Sequence, residues 1–389
     1  MKPRSIALLV GALLTLALGS VVVGSYFLRA WFGPDPLDDD VLLYEVSEPY
    51  QVAAWTRAQN LEGPLTPADL EGLRGQVADA ADYTLSEPHT HANLTVFLVH
   101  GRETLPDRTY LTLQEAVATS LAVVHETDNV SQLTVENLSS SDEVYIQSGD
   151  ILKGGKQDRV IQEDMVLAPQ SGRLPLASFC VEQGRWVRRG RESSVMFQDA
   201  SVKLSGKDLK LANRYYKSQG GVWKNVKKTQ GNLSRNLRSS VEAGESPSSF
   251  RLTLDNDRVQ QAIGGYLSEL LPVIENKEKV IGCAFAVDGK VNCADVYASC
   301  ALFKKLWPAM LQAAAIEAIA ESEEPNSSQP IRAEMMKNFL MEAEQGKAYR
   351  QTTAARVHVI LREGDKYLLF DTCDRQQGND VLHRSYLAK

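Results

Sequence analysis

Short runs of alternating apolar and polar residues dominate the chain between residues 92 and 200. The segments 94–99 (LTVFLV), 132–138 (QLTVENL) and 144–149 (VYIQSG) are rich in β-branched and aromatic residues and are bounded by turn residues, which predicts strands. Thr112 and Glu115 have the spacing of a capping box, which predicts a helix after them. We therefore predict a mostly antiparallel β first half.

Helical and hairpin patterns alternate in the second half of the chain. Apolar residues at helical spacing predict helices over 258–271 and 301–320, the second containing Pro308. Apolar runs on either side of 288–289 and of 363–365 predict β-hairpins. The predicted fold class is α+β, with a mixed helix and β-hairpin second half.

An uncharged apolar stretch lies near the N-terminus. Residues 6–28 are long enough to cross about 30 Å of hydrocarbon as a helix, and Trp31 belongs to an aromatic group at its outer end. Lys2 and Arg4 precede the stretch, so the positive-inside rule predicts a cytoplasmic N-terminus and an extracytoplasmic body. We predict a membrane anchor. The small residues Ala17 and Gly19, on either side of Leu18 and before Ser20, leave open the alternative of a signal segment that is cleaved from a secreted protein.

Three regions follow from these patterns. Residues 1–32 are the anchor or signal segment, and residues 33–91 are an acidic linker with a short helix predicted over 66–80. Residues 92–389 are predicted to form a single α+β globular domain. The Ser/Gly/Pro-rich stretch 239–249 is a candidate sub-boundary within it.

Composition excludes some classes of protein. A chain of 389 residues that is 43% hydrophobic and 23% charged has enough apolar residues for a core, so disorder throughout is excluded. The segment 203–238 carries ten Lys or Arg against one acid, and we predict a solvated basic helix face. Contact with anionic lipid is the alternative. The net charge of −7 and the predicted compartment argue against a nucleic-acid partner.

Two dense polar clusters, 154–159 and 180–186, are the strongest candidates for a site. The first combines two glycines, two cations and an amide, a set suited to binding phosphate or carboxylate. The alternative is a turn between strands with solvated Lys156 and Arg159. The 154–159 cluster lacks the spacing of a nucleotide-binding P-loop. The predicted ligand-binding residues are Gly154, Gly155, Lys156, Gln157, Arg159, Glu182, Gln183, Arg185 and Trp186.

Cys180 and Glu182 are candidate catalytic residues. If a strand runs from Leu174 through Glu182, the thiol and the carboxylate share one face, roughly 7 Å apart. A nucleophilic cysteine needs nearby cations and a base. Arg185 and Lys156 could provide the cations, and His358 or His383 could reach the site as the base. The alternative for Cys180 is inert packing, and for each histidine a structural role.

The remaining cysteines and histidines suggest no metal or cofactor. Five cysteines do not make a disulfide framework in a chain of this length. Cys283 and Cys293 would face each other only if the hairpin loop has three residues, and would lie on opposite faces if it has two. His89 and His91 form an isolated pair, and the chain lacks HExxH, CxxC and DxDxDG motifs. We predict neither a metal site nor a cofactor.

Four motifs in this order resemble the ARG-and-rhodanese-phosphatase-superfamily-associated protein domain, a family named for its gene neighbourhoods. They are the segment 144–186, which contains both polar clusters, QGGVWKNV at 219–226, VIGCAFAVDGKV at 280–291 and CALFKKLWPAMLQAAAIEA at 300–318. The resemblance runs from about residue 92 to the end, and it implies no established activity. It adds Gly149, Asp150 and Leu152 to the candidate positions. The anchor and Cys283, Cys293 and Cys300 are additions to the family pattern.

Three hypotheses of function follow. The leading one is a membrane-anchored extracytoplasmic domain that binds a small anionic ligand or peptide through the 154–159 loop and the Glu182/Arg185 cluster. The second is an enzyme that uses Cys180 as its nucleophile. In the third, the polar clusters form an internal salt-bridge network, and the basic segment 203–238 contacts a protein partner.

Overall fold

The computed structural model describes residues 61–66, 69, 79–322, 330–351, 353, 356–378 and 380–389. These residues contain nineteen strands and seven α-helices. The strands are β1 (Leu61–Glu62), β2 (Thr84–Leu85), β3 (His89–His91), β4 (Leu94–His100), β5 (Tyr110–Thr112), β6 (Ala122–Asn129), β7 (Gln132–Asn137), β8 (Glu143–Ile146), β9 (Asp150–Gly154), β10 (Arg159–Ile161), β11 (Met165–Leu167), β12 (Leu174–Cys180), β13 (Phe197–Lys203), β14 (Val280–Val287), β15 (Lys290–Tyr297), β16 (Lys347–Gln351), β17 (Val357–Glu363), β18 (Tyr367–Asp374) and β19 (Asp380–Ala388).

The helices lie mostly in the second half of the chain. A π-helical turn, Leu211–Tyr215, continues directly from the second α-helix. The α-helices are α1 (Leu113–Ala118), α2 (Lys207–Lys210), α3 (Gln219–Asn236), α4 (Phe250–Asp255), α5 (Asp257–Leu270), α6 (Cys300–Glu321) and α7 (Ala333–Glu344).

A ten-stranded antiparallel sheet is the largest element of the fold. Its order is β1-β16-β17-β18-β19-β15-β14-β4-β2, with β3 also paired to β4. Helix α6 packs on one face, where the rings of Phe285 and Trp307 stack 6.2 Å apart. Helix α7 covers the other face with Met336 and Phe339. Strand β14 is buried along its whole length because both faces are covered, which explains its continuous apolar sequence.

A second, six-stranded sheet is curved so that its two edges approach each other. Its order is β13-β9-β10-β12-β7-β6. The two edges meet where His125 bridges Met196 and where the Glu126 N–H donates to the Val195 carbonyl at 3.0 Å. Leu133, Ile161 and Phe197 lie in the core inside this curved sheet. A three-stranded sheet of order β11-β8-β5 lies beside it, and its β5–β8 pair is parallel.

The predicted elements are largely confirmed, and so is the α+β class. Thr112 caps α1 with Glu115 in a complete capping box. Helices α5 and α6 lie where apolar spacing places them, and α6 contains Pro308. The hairpin of β14 and β15 turns at residues 288–289.

Neither of the two predicted registers describes the β14–β15 hairpin. Val287 pairs with Lys290 across a two-residue loop, and a bulge at Asn292 then shifts the register. Cys283 faces Asp295 and Cys293 faces Phe285, so the thiols lie diagonally on one face. All five cysteines are free.

The predicted membrane segment lies outside the described residues, as does most of the linker before residue 79. At the start of the predicted 66–80 helix, Thr66 and Asp69 exchange side-chain and backbone hydrogen bonds. Within the described ranges, no helix combines the length and the apolar character needed to span a membrane.

Candidate functional site

The two polar clusters predicted from sequence meet in space. Gln157 Nε2 donates to the Glu182 carbonyl at 3.0 Å, and the Asp158 N–H donates to Glu182 Oε2 at 3.0 Å. Arg185 Nη1 donates to the Gly155 carbonyl at 3.3 Å. The loop between β9 and β10 therefore contacts the segment that follows β12.

The charges in this contact neutralise one another. Glu182 accepts hydrogen bonds from Arg185 Nε at 2.7 Å and from Arg189 Nη1 at 3.4 Å. Asp158 accepts from both Arg189 terminal nitrogens at 2.9 and 3.0 Å. Both carboxylates are fully buried. Burial raises the pKa of Glu182, but Arg185, Ser246 and the Asp158 N–H lower it more, so this carboxyl is ionised.

The rest of the predicted site lies at the edge of this network. Arg159 is fully buried, with Nη1 donating to the Val130 carbonyl at 2.6 Å. The Trp186 ring covers Arg159 and Lys156 at 5.3 and 5.4 Å. Lys156 also pairs with Asp128, and Gln183 is exposed. Arg159 is therefore an interior group, whereas Lys156, Gln183 and Trp186 border solvent.

Gly154 and Gly155 are required by the backbone of the loop. Their φ angles are +123° and +60°, in the region that favours glycine. A Cβ at Gly155 would lie 2.6 Å from the Phe197 ring and 2.9 Å from Glu126 Oε2. The glycines therefore allow close packing of protein groups, and this favours the structural alternative for the loop.

Cys180 and Glu182 do not form the predicted pair on one strand. Strand β12 ends at Cys180, and Glu182 turns toward Arg185 ahead of Gly184, which has a φ of +85°. The Cys180 thiol instead contacts Arg159. Burial raises the pKa of Cys180 to about 11, although Arg159 opposes that shift. This direction is opposite to the one that a nucleophilic thiol needs.

A separate cavity lies between the ten-stranded sheet, the six-stranded sheet and helix α6. Its volume is about 50 Å³. A cavity needs at least about 10–15 Å³ to hold one water, whose share of liquid volume is about 30 Å³, so this cavity has room for about two waters or one small ion. Its lining residues, here called the cavity cluster, are Gln147, Ser148, Gly149, Lys203, Leu204, Lys210, Asn213, Arg214, Phe285, Asp295, Met310, Ala313, Phe370, Ser385 and Leu387.

Three consecutive elements bring cations to this cavity. Lys203 is the last residue of β13, where it pairs in register and by its side chain with Asp150 of β9. Lys210 ends α2, and Arg214 lies in the π-helical turn that follows. Such turns are rare and often occur at functional sites.

Of these three cations, Lys210 is the one that forms no ion pair with a carboxylate among the described residues. Its Nζ donates to Cys293 Sγ at 3.2 Å. Burial lowers the pKa of Lys210, but Cys293, Asp295 and Glu317 raise it further, so the net shift is upward. The ammonium is therefore charged at neutral pH.

His383 links two buried carboxylates at the base of the cavity. Its Nδ1 lies 2.8 Å from Asp164 Oδ2 and its Nε2 lies 2.9 Å from Asp295 Oδ1. Burial lowers the pKa of His383, whereas Asp164 and Asp295 raise it more, so the imidazole is held protonated. Arg214 Nη2 also contacts Asp164 at 3.2 Å. Both imidazole nitrogens are occupied, so His383 holds its neighbours in place and does not face a ligand.

Asn213 has an unused acceptor at this cavity. The residue is 1% exposed, and its Nδ2 donates to the Ile161 carbonyl at 2.9 Å. That carbonyl can only accept, so the amide orientation is set and Oδ1 must be an acceptor. Asn213 Oδ1 has no protein hydrogen-bond partner among the described residues. A buried acceptor of this kind calls for a donor inside the cavity.

The expectation of one solvated basic face over 203–238 is wrong for three of its ten cations. Lys203, Lys210 and Arg214 line the cavity, whereas Lys224, Lys227 and others lie on the exposed side. The sequence did contain a signal that this part of the segment faces the interior. Lys210 and Arg214 are four residues apart, and their neighbours Leu209, Leu211, Ala212 and Tyr215 are apolar and buried.

The predicted histidines lie apart from the polar clusters. His383 contacts Asp295, which lines the cavity, and His358 is buried with its pKa lowered to about 4 by burial and by Arg350 and Arg375. His91 packs edge-on against Tyr266 at 4.9 Å. Among the described residues, no group of three or more His, Cys, Asp or Glu is arranged to hold a metal ion.

Fold and cavity together define an α+β domain with a buried, cation-lined hollow between its two main sheets. The chain belongs to the ARG and Rhodanese-Phosphatase-superfamily-associated Protein domain family, whose model matches residues 82–387. The resemblance found from the sequence motifs is thereby confirmed. No curated protein and no solved structure matched this chain.

Proposed function

We propose that this protein binds a small anion in the cavity cluster, as a domain held outside the cytoplasm by its N-terminal segment. The observation that carries the proposal is the Lys210 ammonium, which is partly buried and forms no ion pair with a carboxylate in the described ranges. An anion in the cavity would compensate that charge. A buried charge is otherwise costly.

The pairing of the other charges supports this choice. Lys203 pairs with Asp150, Arg214 pairs with Asp164, and His383 pairs with Asp295. Lys210 is left without an ion pair when these pairs are complete, and Asp295 and Glu317 act on its charge only from a longer distance. Two of the residues involved, Gly149 and Asp150, also fit the family pattern recognised in the sequence.

The size of the cavity limits the ligand. A volume of about 50 Å³ suits a small ion with a few oxygen atoms and is too small for a nucleotide or for a peptide side chain with its backbone. The candidate ligands are therefore tetrahedral oxyanions and the smallest carboxylates.

The 154–159 loop and the Glu182/Arg185 cluster support the structural alternative. Their carboxylates and guanidinium groups satisfy one another, so binding a ligand there would require breaking buried ion pairs. We therefore retain the small anionic ligand of the leading hypothesis, but we propose that it binds at Lys210 and not at the 154–159 loop.

Thermal unfolding of the full chain, purified in a non-ionic detergent, tests the proposal. Phosphate, sulfate and acetate are each compared with chloride at equal ionic strength. An anion at 100 times its Kd stabilises the folded state by about 2.7 kcal/mol, which raises the melting temperature by a few degrees. We expect at least one anion to do so in the wild type and none to do so in Lys210→Met.

Lys228→Met is the matched control, because Lys228 belongs to the same segment but its side chain is 49% exposed. This variant should keep the anion-dependent rise. The proposal fails if no anion acts differently from chloride, or if Lys210→Met responds as the wild type does.

A further inference from the structure

The cavity cluster offers both donors and an acceptor, and this combination restricts the ligand further. Lys203, Lys210 and Arg214 can only donate hydrogen bonds. Asn213 Oδ1 can only accept one, because the Ile161 carbonyl fixes the amide at 2.9 Å. The negative charge of Asp295 also borders the cavity. A ligand that satisfies this lining must carry anionic oxygens and at least one X–H group.

We infer that the cavity selects a tetrahedral oxyanion that keeps a proton, such as hydrogen phosphate, over a fully deprotonated one such as sulfate. The inference rests on the proposed function and adds the chemical class of its ligand. At neutral pH inorganic phosphate retains at least one O–H, which can donate to Asn213 Oδ1. Sulfate has no proton to donate, so one of its oxygens would face the Asn213 acceptor and the Asp295 carboxylate.

The expected selectivity follows from the cost of a buried acceptor left without a donor. That cost is about 1–3 kcal/mol, which corresponds to roughly a 10- to 100-fold difference in Kd. The two anions have the same shape, so their difference in affinity reports the proton and not the size of the cavity.

Isothermal titration calorimetry of the full chain at pH 7 measures this ratio with sodium phosphate and sodium sulfate. We expect phosphate to bind about 10- to 100-fold more tightly than sulfate. In Asn213→Ser a hydroxyl that can donate replaces the fixed acceptor, so the ratio should fall toward one while both anions still bind. Lys228→Met should keep the wild-type ratio.

A second pair of ions tests the same point without a variant. Arsenate carries a proton at pH 7 and selenate does not, so arsenate should bind like phosphate and selenate like sulfate. Sulfate or selenate binding as tightly as its protonated counterpart would overturn the inference and leave the proposed function intact. An unchanged ratio in Asn213→Ser would also overturn it. If none of the four ions binds, the inference fails, and the proposed function fails with it when acetate does not bind either.

Discussion

Glu182 is the residue on which the polar network depends most. Its carboxylate accepts from Arg185, from Arg189 and from the Asp158 N–H. We predict that Glu182→Ala lowers the free energy of unfolding by about 3–5 kcal/mol, because two guanidinium groups then share one buried carboxylate. Urea denaturation followed by circular dichroism measures the loss. Lys156→Ala is the control and should lose less than about 1 kcal/mol, since its partner Asp128 is largely exposed.

A Glu182→Ala protein as stable as the Lys156→Ala protein would contradict the structural role of this cluster. It would also favour the ligand-binding role first predicted for the 154–159 loop. The two variants separate these interpretations, because a binding residue held for function is often neutral or even unfavourable for stability.

Residue types were predictable at this scale, but their partners were not. The sequence places Glu182 and Arg185 three apart, and they do pair. Arg189 was missed, because its contact with Asp158 depends on the course of the chain after Gly184. Lys210 and Asn213 were missed for another reason. A charged or amide residue on a helix is usually exposed, so sequence alone favours solvent for it.

His383 joins elements of different sheets, and this gives a pH dependence. It lies on β19, and it bonds Asp295 of β15 and Asp164 of the β10–β11 loop. The pKa of His383 is raised above its usual 6.5, so its stabilising contribution is fully present below pH 6.5 and is lost as pH rises. We predict that the free energy of unfolding falls by up to about 2 kcal/mol between pH 6.5 and 8.

Urea unfolding at several pH values in this window measures the effect. His358, whose pKa is lowered to about 4, acts in the opposite direction, but only about 0.4 kcal/mol of its contribution remains to be gained above pH 6.5. In Asp295→Asn the pKa of His383 is raised less, so the slope against pH should be smaller. A free energy that is flat or rises with pH in the wild type would contradict the prediction.

Element types followed from local patterns, and element registers did not. The capping box of α1 and the apolar spacing of α5 and α6 depend on residues within one or two turns. The hairpin bulge at Asn292 depends on how β15 pairs with β19 as well as with β14. The length of the hairpin loop alone therefore could not predict the position of Cys283 relative to Cys293.

At the scale of the whole molecule, the cavity exists only because distant parts of the chain meet. Asp164 and His383 are 219 residues apart. The two main sheets bring them together, and no motif of fixed spacing encodes such a contact. The family was recognisable because its motifs are local strings, whereas the hollow between the sheets was not. This is why the sequence led to the 154–159 loop, where polar residues are dense, and not to Lys210.

We predict that the N-terminal segment determines where the whole molecule operates. Residues 6–28 have no charge and follow Lys2 and Arg4, so we predict that the full chain fractionates with membranes and resists carbonate extraction. Deletion of 1–32 should move the protein to the soluble fraction. Protease added outside the cytoplasmic membrane should digest the anchored domain. An intact domain in that experiment, or a full chain recovered as soluble protein of unchanged length, would contradict an extracytoplasmic anchor. A shortened soluble product starting near residue 20 would instead identify a cleaved signal segment.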